Sequence, residues 1–297
     1  MNEHMRADKR IPFLLALLAL SILVLFSFSG TPHDKMRGNA IVRRVPDPEV
    51  AAHAYLVRLV GAQNPLLKRR EEKRLAPASL TKLMTALLAE EELGPGEKIT
   101  FLPEAKKAEE KISDASAGEV FVRDDMLRFL LIASDNDAAM ALAAAVGKKL
   151  GGGTFDDCIG RFVDMMNKKA GLLALANTHF QNPTGLDAEG HYTSAHDLAK
   201  IAEYVLAHHP HLWEISRTTD TVVYSFAGIP HAVKTTDELL YEFPGILGSK
   251  TGLTDNAKGA LILLYPVRTR GTAIIIILKS EDRFGDGRKF INWLEAN

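Results

Sequence analysis

Hydrophobic and polar positions change rhythm three times along this chain, and each change predicts a different kind of element. From Ala54 to Val60 the pattern is strand-like, Gly61 to Pro65 carries turn residues, and Leu66-Leu67-Lys68 completes a predicted hairpin. From Pro77 to about His209 the pattern is mostly helical. Leu80, Leu83, Met84, Leu87 and Leu88 recur at i, i+3, i+4, i+7 and i+8, so one stripe faces a core until Gly94-Pro95-Gly96 ends the helix. Two further helices are predicted at Asp124 to Ala133 and Asp137 to Val146, joined by the short link Ser134-Asp135-Asn136. After Trp213 the pattern turns to strands, at Thr221 to Phe226, Gly245 to Thr251, Gly259 to Tyr265 and Thr272 to Leu278. The β-branched run Ile274-Ile275-Ile276-Ile277 fits a central buried strand, and an amphipathic helix is expected from about Asp286 to Leu294. The fold class expected is α/β in the α+β sense: the N-terminal hairpin and the C-terminal strands share one antiparallel sheet, flanked by helices, and an all-helical lobe over about 77–210 is inserted between them. The interface of sheet and lobe is a natural cleft.

The first thirty residues stand apart. Arg6, Lys9 and Arg10 precede an uncharged apolar run from Ile11 to Phe28, the arrangement of an export signal. Eighteen residues just suffice to span a bilayer, so residues 1–30 are expected to act as a cleaved signal peptide or a retained membrane anchor. Residues 31–50, with Pro32, Pro46 and Pro48 among mixed charges, read as a spacer, leaving 51–297 as the folded domain. Of 297 residues 46% are hydrophobic and 25% charged, enough to bury a large core. With 36 basic against 37 acidic side chains, nothing in the charge recommends nucleic acid as a partner. Cys158 is the single cysteine, so no internal disulfide forms, and its place in a helical pattern makes it a packed thiol.

Three short patterns carry chemistry. In Pro77-Ala78-Ser79-Leu80-Thr81-Lys82 a serine and a lysine lie three apart at a helix start, where their side chains meet on one face. A serine hydroxyl needs a neighbour to take its proton, and a neutral lysine can do so. That requires the Lys82 pKa to fall by about 3 units, through burial and a second cation, for which Lys250 is the candidate. In Ser134-Asp135-Asn136, Ser134 can relay a proton to a leaving group, and the Asn136 amide can hold Lys82 and a substrate carbonyl. The competing reading of that triplet is a helix cap. Lys250-Thr251-Gly252 ends a predicted strand, where a lysine and a hydroxyl can bind a carboxylate while Gly252 admits the substrate backbone.

Taken in this order, each at the end of a predicted element, the three patterns resemble the penicillin-binding and serine β-lactamase superfamily. The stretches Phe180-Gln181-Asn182-Pro183-Thr184-Gly185-Leu186 and Gly190-His191-Tyr192-Thr193-Ser194-Ala195 resemble most closely the low-molecular-mass D-alanyl-D-alanine carboxypeptidases. The resemblance implies a penicillin-binding fold, peptidoglycan stem peptides ending in D-Ala-D-Ala as substrate, β-lactams as acylating inhibitors, and no cofactor or metal. It implies Ser79 as nucleophile, Lys82 as general base and Ser134 in proton transfer, with Asn136, Lys250, Thr251 and Gly252 binding substrate. The family's oxyanion hole falls on the N–H groups of Ser79 and Leu253, and Arg283 matches an arginine near the substrate carboxylate.

The chain departs from that family in several places. Asp135 stands where glycine is usual, Thr235-Thr236-Asp237 replaces an Asn-Thr-Asn stretch, and Arg58-Leu59-Val60-Gly61 replaces an Asp-x-x-Thr-Gly turn. No second β domain is expected after the peptidase domain. These changes touch substrate choice more than acyl chemistry, and D,D-endopeptidase cleavage of cross-links stays open beside carboxypeptidase action. A class A β-lactamase would need a Glu-x-x-x-Asn deacylation element between the second and third patterns, and the chain has none in a suitable setting. A non-catalytic penicillin-binding regulator would not need all three patterns intact. His208, His209 and His211 lack a His-Glu-x-x-His arrangement and read as a helix-end cluster rather than a zinc site.

Overall fold

The computed structural model of the chain describes residues 45–107 and 114–297. The apolar N-terminal run lies outside them, and no helix among the described residues is long and apolar enough to cross a membrane. One five-stranded antiparallel sheet organises the domain. It consists of β1 (Ala54–Leu59), β2 (Leu67–Arg69), β7 (Gly248–Thr254), β8 (Lys258–Val267) and β9 (Gly271–Ser280), in the order β2-β1-β9-β8-β7. The first strand pairs directly with the last, Ala54 opposite Leu278 and Leu59 opposite Ala273.

The isoleucine run occupies the middle strand and is buried on both faces, because successive strand side chains leave opposite sides. Ile274, Ile276 and Leu278 join Leu56, Ile262 and Leu264 in a core shared with the helices of the central region. Ile275 and Ile277 join Val57, Leu261 and Leu263 in a second core, closed by Leu239 of the short helix α7 (Leu239–Glu242) and by Phe290, Ile291 and Leu294 of α8 (Arg283–Ala296). Val45 and Val50 also pack against this second core, and the Trp293 indole N–H donates to the Val45 carbonyl.

The first core is built by α1 (Lys82–Glu92), α2 (Arg123–Leu131), α3 (Asn136–Lys149), α4 (Phe155–Leu172), α5 (Ala195–His208) and α6 (Pro210–Ser216). Three of these helices start on a side-chain cap and a fourth on a proline. Asp135 accepts from the Ala138 amide, Thr154 and Asp157 form a reciprocal capping box, Ser194 accepts from the Asp197 amide, and Pro210 opens α6. Cys158 lies buried on α4.

Two expectations need correction. The strand expected at Thr221–Phe226 forms as β5 (Asp220–Tyr224), but it pairs with β6 (Pro230–Lys234) in a separate ribbon rather than joining the main sheet. Val223 is buried but Val222 and Tyr224 on the opposite face remain exposed, whereas the middle strand of the main sheet is buried on both faces. The central region also holds a second ribbon, β3 (Lys98–Thr100) with β4 (Val120–Val122). Three residues are too few to show alternation in sequence.

Candidate active site

Ser79 does not cap a helix. It lies half-buried within a 3-10 turn, Ala78–Thr81, that leads directly into α1 with Lys82 as its first residue. Ala78 has φ +48°, a left-handed conformation that costs an alanine energy and therefore marks a backbone held by its surroundings. The surroundings are close on two sides. A Cβ on Gly185 would fall 1.9 Å from the Ala78 carbonyl oxygen, and one on Gly252 would fall 2.9 Å from the Ala78 Cβ and 3.0 Å from the Ser79 nitrogen. Glycine at both positions lets two backbones touch the turn.

Lys82 is fully buried. Its Nζ donates to Ser79 Oγ at 2.8 Å, Asn136 Oδ1 at 2.7 Å and the Thr184 carbonyl at 2.7 Å. Two of these acceptors are carbonyl oxygens, which accept and never donate; the third is a hydroxyl that can do either. A neutral Lys82 would therefore keep its two N–H bonds to Asn136 and Thr184 and turn its lone pair toward the Ser79 proton. One turn along α1, Thr85 Oγ1 donates to the Pro183 carbonyl at 2.6 Å, fastening the helix to the same loop.

That loop is set by Asn182, whose Oδ1 accepts from the amides of Thr184 and Gly185 and from the Thr184 hydroxyl. Behind the turn, Thr81 Oγ1 lies 3.0 Å from His191 Nε2. Burial pushes the His191 pKa down to about 4, so the ring is neutral near pH 7.

In Ser134-Asp135-Asn136 the helix cap falls on the middle residue alone. Asp135 supplies the cap of α3, while Ser134 and Asn136 turn inward. Ser134 sits at φ +61°, a second left-handed non-glycine residue. Its Oγ accepts from Lys250 Nζ at 2.7 Å, and Lys250 also donates to the Thr251 carbonyl at 2.9 Å. The Lys250 ammonium is disfavoured first by complete burial and then by the charge of Lys82, which hold its pKa well below the usual lysine range, while Asp237 acts in the opposite sense.

Lys250, Thr251, Gly252 and Leu253 follow one another along β7, the edge strand that among the described residues pairs only with β8. Leu253 is 58% exposed at the cleft mouth. Arg283 begins α8 and lines the same cleft, half-buried, with its guanidinium over the Phe284 ring. Burial opposes its charge, and Asp237 and Glu238 favour it.

The structure thus brings Ser79, Ser134, Thr251, Gly252, Leu253 and Arg283 around one cleft of about 720 Å³, with Lys82, Asn136 and Lys250 buried at its floor. His209 and His211 lie elsewhere, facing Glu90, and no group of three or more potential metal ligands is assembled among the described residues. Sequence reasoning did not identify the Thr184 carbonyl, Thr236, whose hydroxyl bonds that of Thr251, or the buried Asp237. The Asn-Pro-x-Gly turn signal at 182–185 pointed to the first, and the departure at 235–237 to the others.

Two serine hydroxyls, each bonded by its own buried lysine, face one cleft beside an edge strand. Known proteins share this fold. The chain resembles the Streptomyces K15 DD-transpeptidase with a TM-score of 0.77 and 26% identity, over 85% of this chain and all of that one. It is 41% identical over 147 residues to the D-alanyl-D-alanine carboxypeptidase DacF of Bacillus subtilis, covering 48% of this chain and 35% of that protein. It is 27% identical over 252 residues to the D-alanyl-D-alanine carboxypeptidase DacA of Escherichia coli, covering 81% and 59% respectively. The D-alanyl-D-alanine carboxypeptidase family matches residues 41–280, and the chain belongs to that family. It spans from about a third to under two thirds of the length of these two curated relatives.

Proposed function

We propose that this chain is an exported serine-type D-Ala-D-Ala carboxypeptidase that trims peptidoglycan stem peptides through an acyl-enzyme on Ser79. The observation that carries the reading is the placement of Lys82 Nζ, 2.8 Å from Ser79 Oγ and braced by two carbonyl oxygens. Neutral Lys82 takes the Ser79 proton as Oγ attacks the carbonyl of the penultimate D-alanine. The oxyanion is met by the amides of Ser79 and Leu253, each such donor contributing about 3 to 4 kcal/mol in the transition state. The Ser134 hydroxyl passes a proton to the leaving amine, terminal D-alanine departs, and water then attacks the ester to free Ser79. Lys250, Thr251 and Arg283 take the terminal carboxylate, and Asn136 positions the substrate amide. An extended peptide laid along the free edge of β7 would add a strand to the sheet and bring its carbonyl to Ser79.

A β-lactam would acylate Ser79 in the same way, with the opened ring still tethered. The basic and apolar N-terminal segment over 1–30 supports delivery to the outer face of the cytoplasmic membrane, with the peptidase domain at 51–297.

A second reading, cleavage of D,D-cross-links, draws support from the D-alanyl-D-alanine endopeptidase of Pseudomonas aeruginosa. That protein is 26% identical over 95% of this chain and 87% of its own length.

Incubation with a fluorescent penicillin, compared with Ser79→Ala, tests the acyl chemistry. A stable adduct lost in the variant is expected; rapid turnover would indicate a β-lactamase, and no adduct would refute the proposal. Mass analysis of digested muropeptides separates release of terminal D-alanine from cleavage of cross-links.

A further inference from the structure

Asp237 has no part in the chemistry above, yet it is 2% exposed and lies between β6 and α7 against the strand that carries Lys250. Its Oδ1 accepts from the Leu239 amide at 2.9 Å, and its Oδ2 accepts from the Ser249 hydroxyl. Ser249 immediately precedes Lys250 on β7. Adjacent strand side chains leave opposite faces. Ser249 pairs with Leu263 of the second core and Lys250 with Ile262 of the first. The carboxylate therefore backs the strand from the side opposite the Lys250 ammonium. Thr236, beside it in sequence, bonds Thr251, so residues 236 and 237 hold the strand on both sides of Lys250.

The charges around Lys250 are unbalanced without Asp237. Its hydrogen-bond acceptors, Ser134 Oγ and the Thr251 carbonyl, are both neutral. Its own burial opposes its ammonium, as do Lys82 of α1 whenever that amine is protonated and Arg283 at the start of α8; among the described residues Asp237 is the anion that acts in the other direction. Asp237 is buried as well, which pushes its pKa up, while the Ser249 hydroxyl, the Leu239 amide, Arg283 and Lys250 pull it back. Carboxylate and ammonium therefore support each other's charged forms.

We infer that Asp237 is a positioning residue, the buried anion behind β7 that keeps Lys250 cationic and so ready to take the carboxylate of an acyl donor. The inference rests on the proposed carboxylate-binding role of Lys250 and deepens it, since carboxylate recognition becomes pH-dependent through a residue that never touches substrate.

The test compares full-length wild type with Asp237→Asn, which keeps the side-chain shape and the acceptor for Leu239 but removes the charge. In lysines labelled with 13C at Cε, the Lys250 signal, assigned with Lys250→Arg, should titrate at least about one pH unit lower in the variant. The alkaline limb of benzylpenicillin acylation should move down with it, a loss of about tenfold at pH values on that limb. Acylation by phenylmethylsulfonyl fluoride, which has no carboxylate, should change by less than about threefold. An unshifted Lys250 titration overturns the inference, and so does an equal loss with both reagents at every pH, which would mark a merely structural role. Should Asp237→Asn not fold, Ser249→Ala serves instead: losing a donor to the carboxylate favours its neutral form and shifts the same limb in the same direction by less. Absence of any wild-type penicillin adduct would refute the proposed function, while the lysine titration would still decide the role of Asp237.

Discussion

The inner and outer ends of the cleft are built on different principles. At the inner end Lys82, Ser134, Asn136 and Lys250 are almost wholly buried, and the hydrogen bonds described above tie them to one another, to Ser79 and to the backbone that frames the site. At the outer end Asp255, Lys258 and Glu281 line the mouth as exposed charges. Burial makes each inner contact expensive to break, because a buried polar group that loses its partner bears its desolvation cost alone. Water replaces an outer contact at little cost. In the proposed reaction the chemistry would thus belong to a fixed constellation, with selection among peptide substrates left to the rim.

The sharpest way to break that contrast is Lys82→Met, which keeps the stem and removes the amine. Acylation of Ser79 by benzylpenicillin, followed in stopped flow, should fall by about 10² to 10⁴-fold. A small effect would mean that the inner end is ordinary packing.

His191 probes the same end through stability. Its folded pKa of about 4 lies below the ordinary histidine value of 6.5, so the unfolded chain binds more protons between those pH values and stability rises with pH across that window. The contribution is fully present above about pH 6.5 and is lost as pH falls toward 4, a change on the order of 3 kcal/mol. Thermal unfolding between pH 7 and pH 4.5 should show a steeper decline for wild type than for His191→Gln.

Gly252→Ala tests how closely strand and turn abut. The added methyl meets Ala78 and the Ser79 nitrogen at about 3 Å. Denaturant unfolding should show a loss of about 1 to 3 kcal/mol, together with slower acylation. Smallest of all, Glu281→Gln and Asp255→Asn should leave penicillin acylation within about threefold of wild type while changing the KM ranking of peptides that differ in side-chain charge.

Legibility of the sequence follows the same division. The isoleucine run and the Leu80 to Leu88 stripe announced a two-sided strand and a one-sided helix because periodicity reports burial directly. Ser79, Lys82, Ser134, Asn136 and Lys250 were found by spacing, since the elements that carry them are local. The separate β5–β6 ribbon was not legible, because alternation locates a strand without naming its partner. The Thr184 contribution is a backbone carbonyl and leaves no mark in a pattern of side-chain types. Asp237 registered only as a departure from family usage; its meaning required knowing that it folds back on Ser249.

The pairing of the first strand with the last has a consequence for the life of the molecule. Lys82 and Ser79 are neighbours in sequence, but Lys250, Thr251 and three of the five strands of their sheet arrive with the final fifth of the chain. Because β1 pairs with β9, a nascent polypeptide that has emerged only through the helices lacks both its central strand and the edge strand β7. Contacts so distant in sequence also form late and cooperatively. Under the proposed acyl chemistry the serine would stay silent during synthesis, and a penicillin label would count finished molecules, reporting maturation as faithfully as activity.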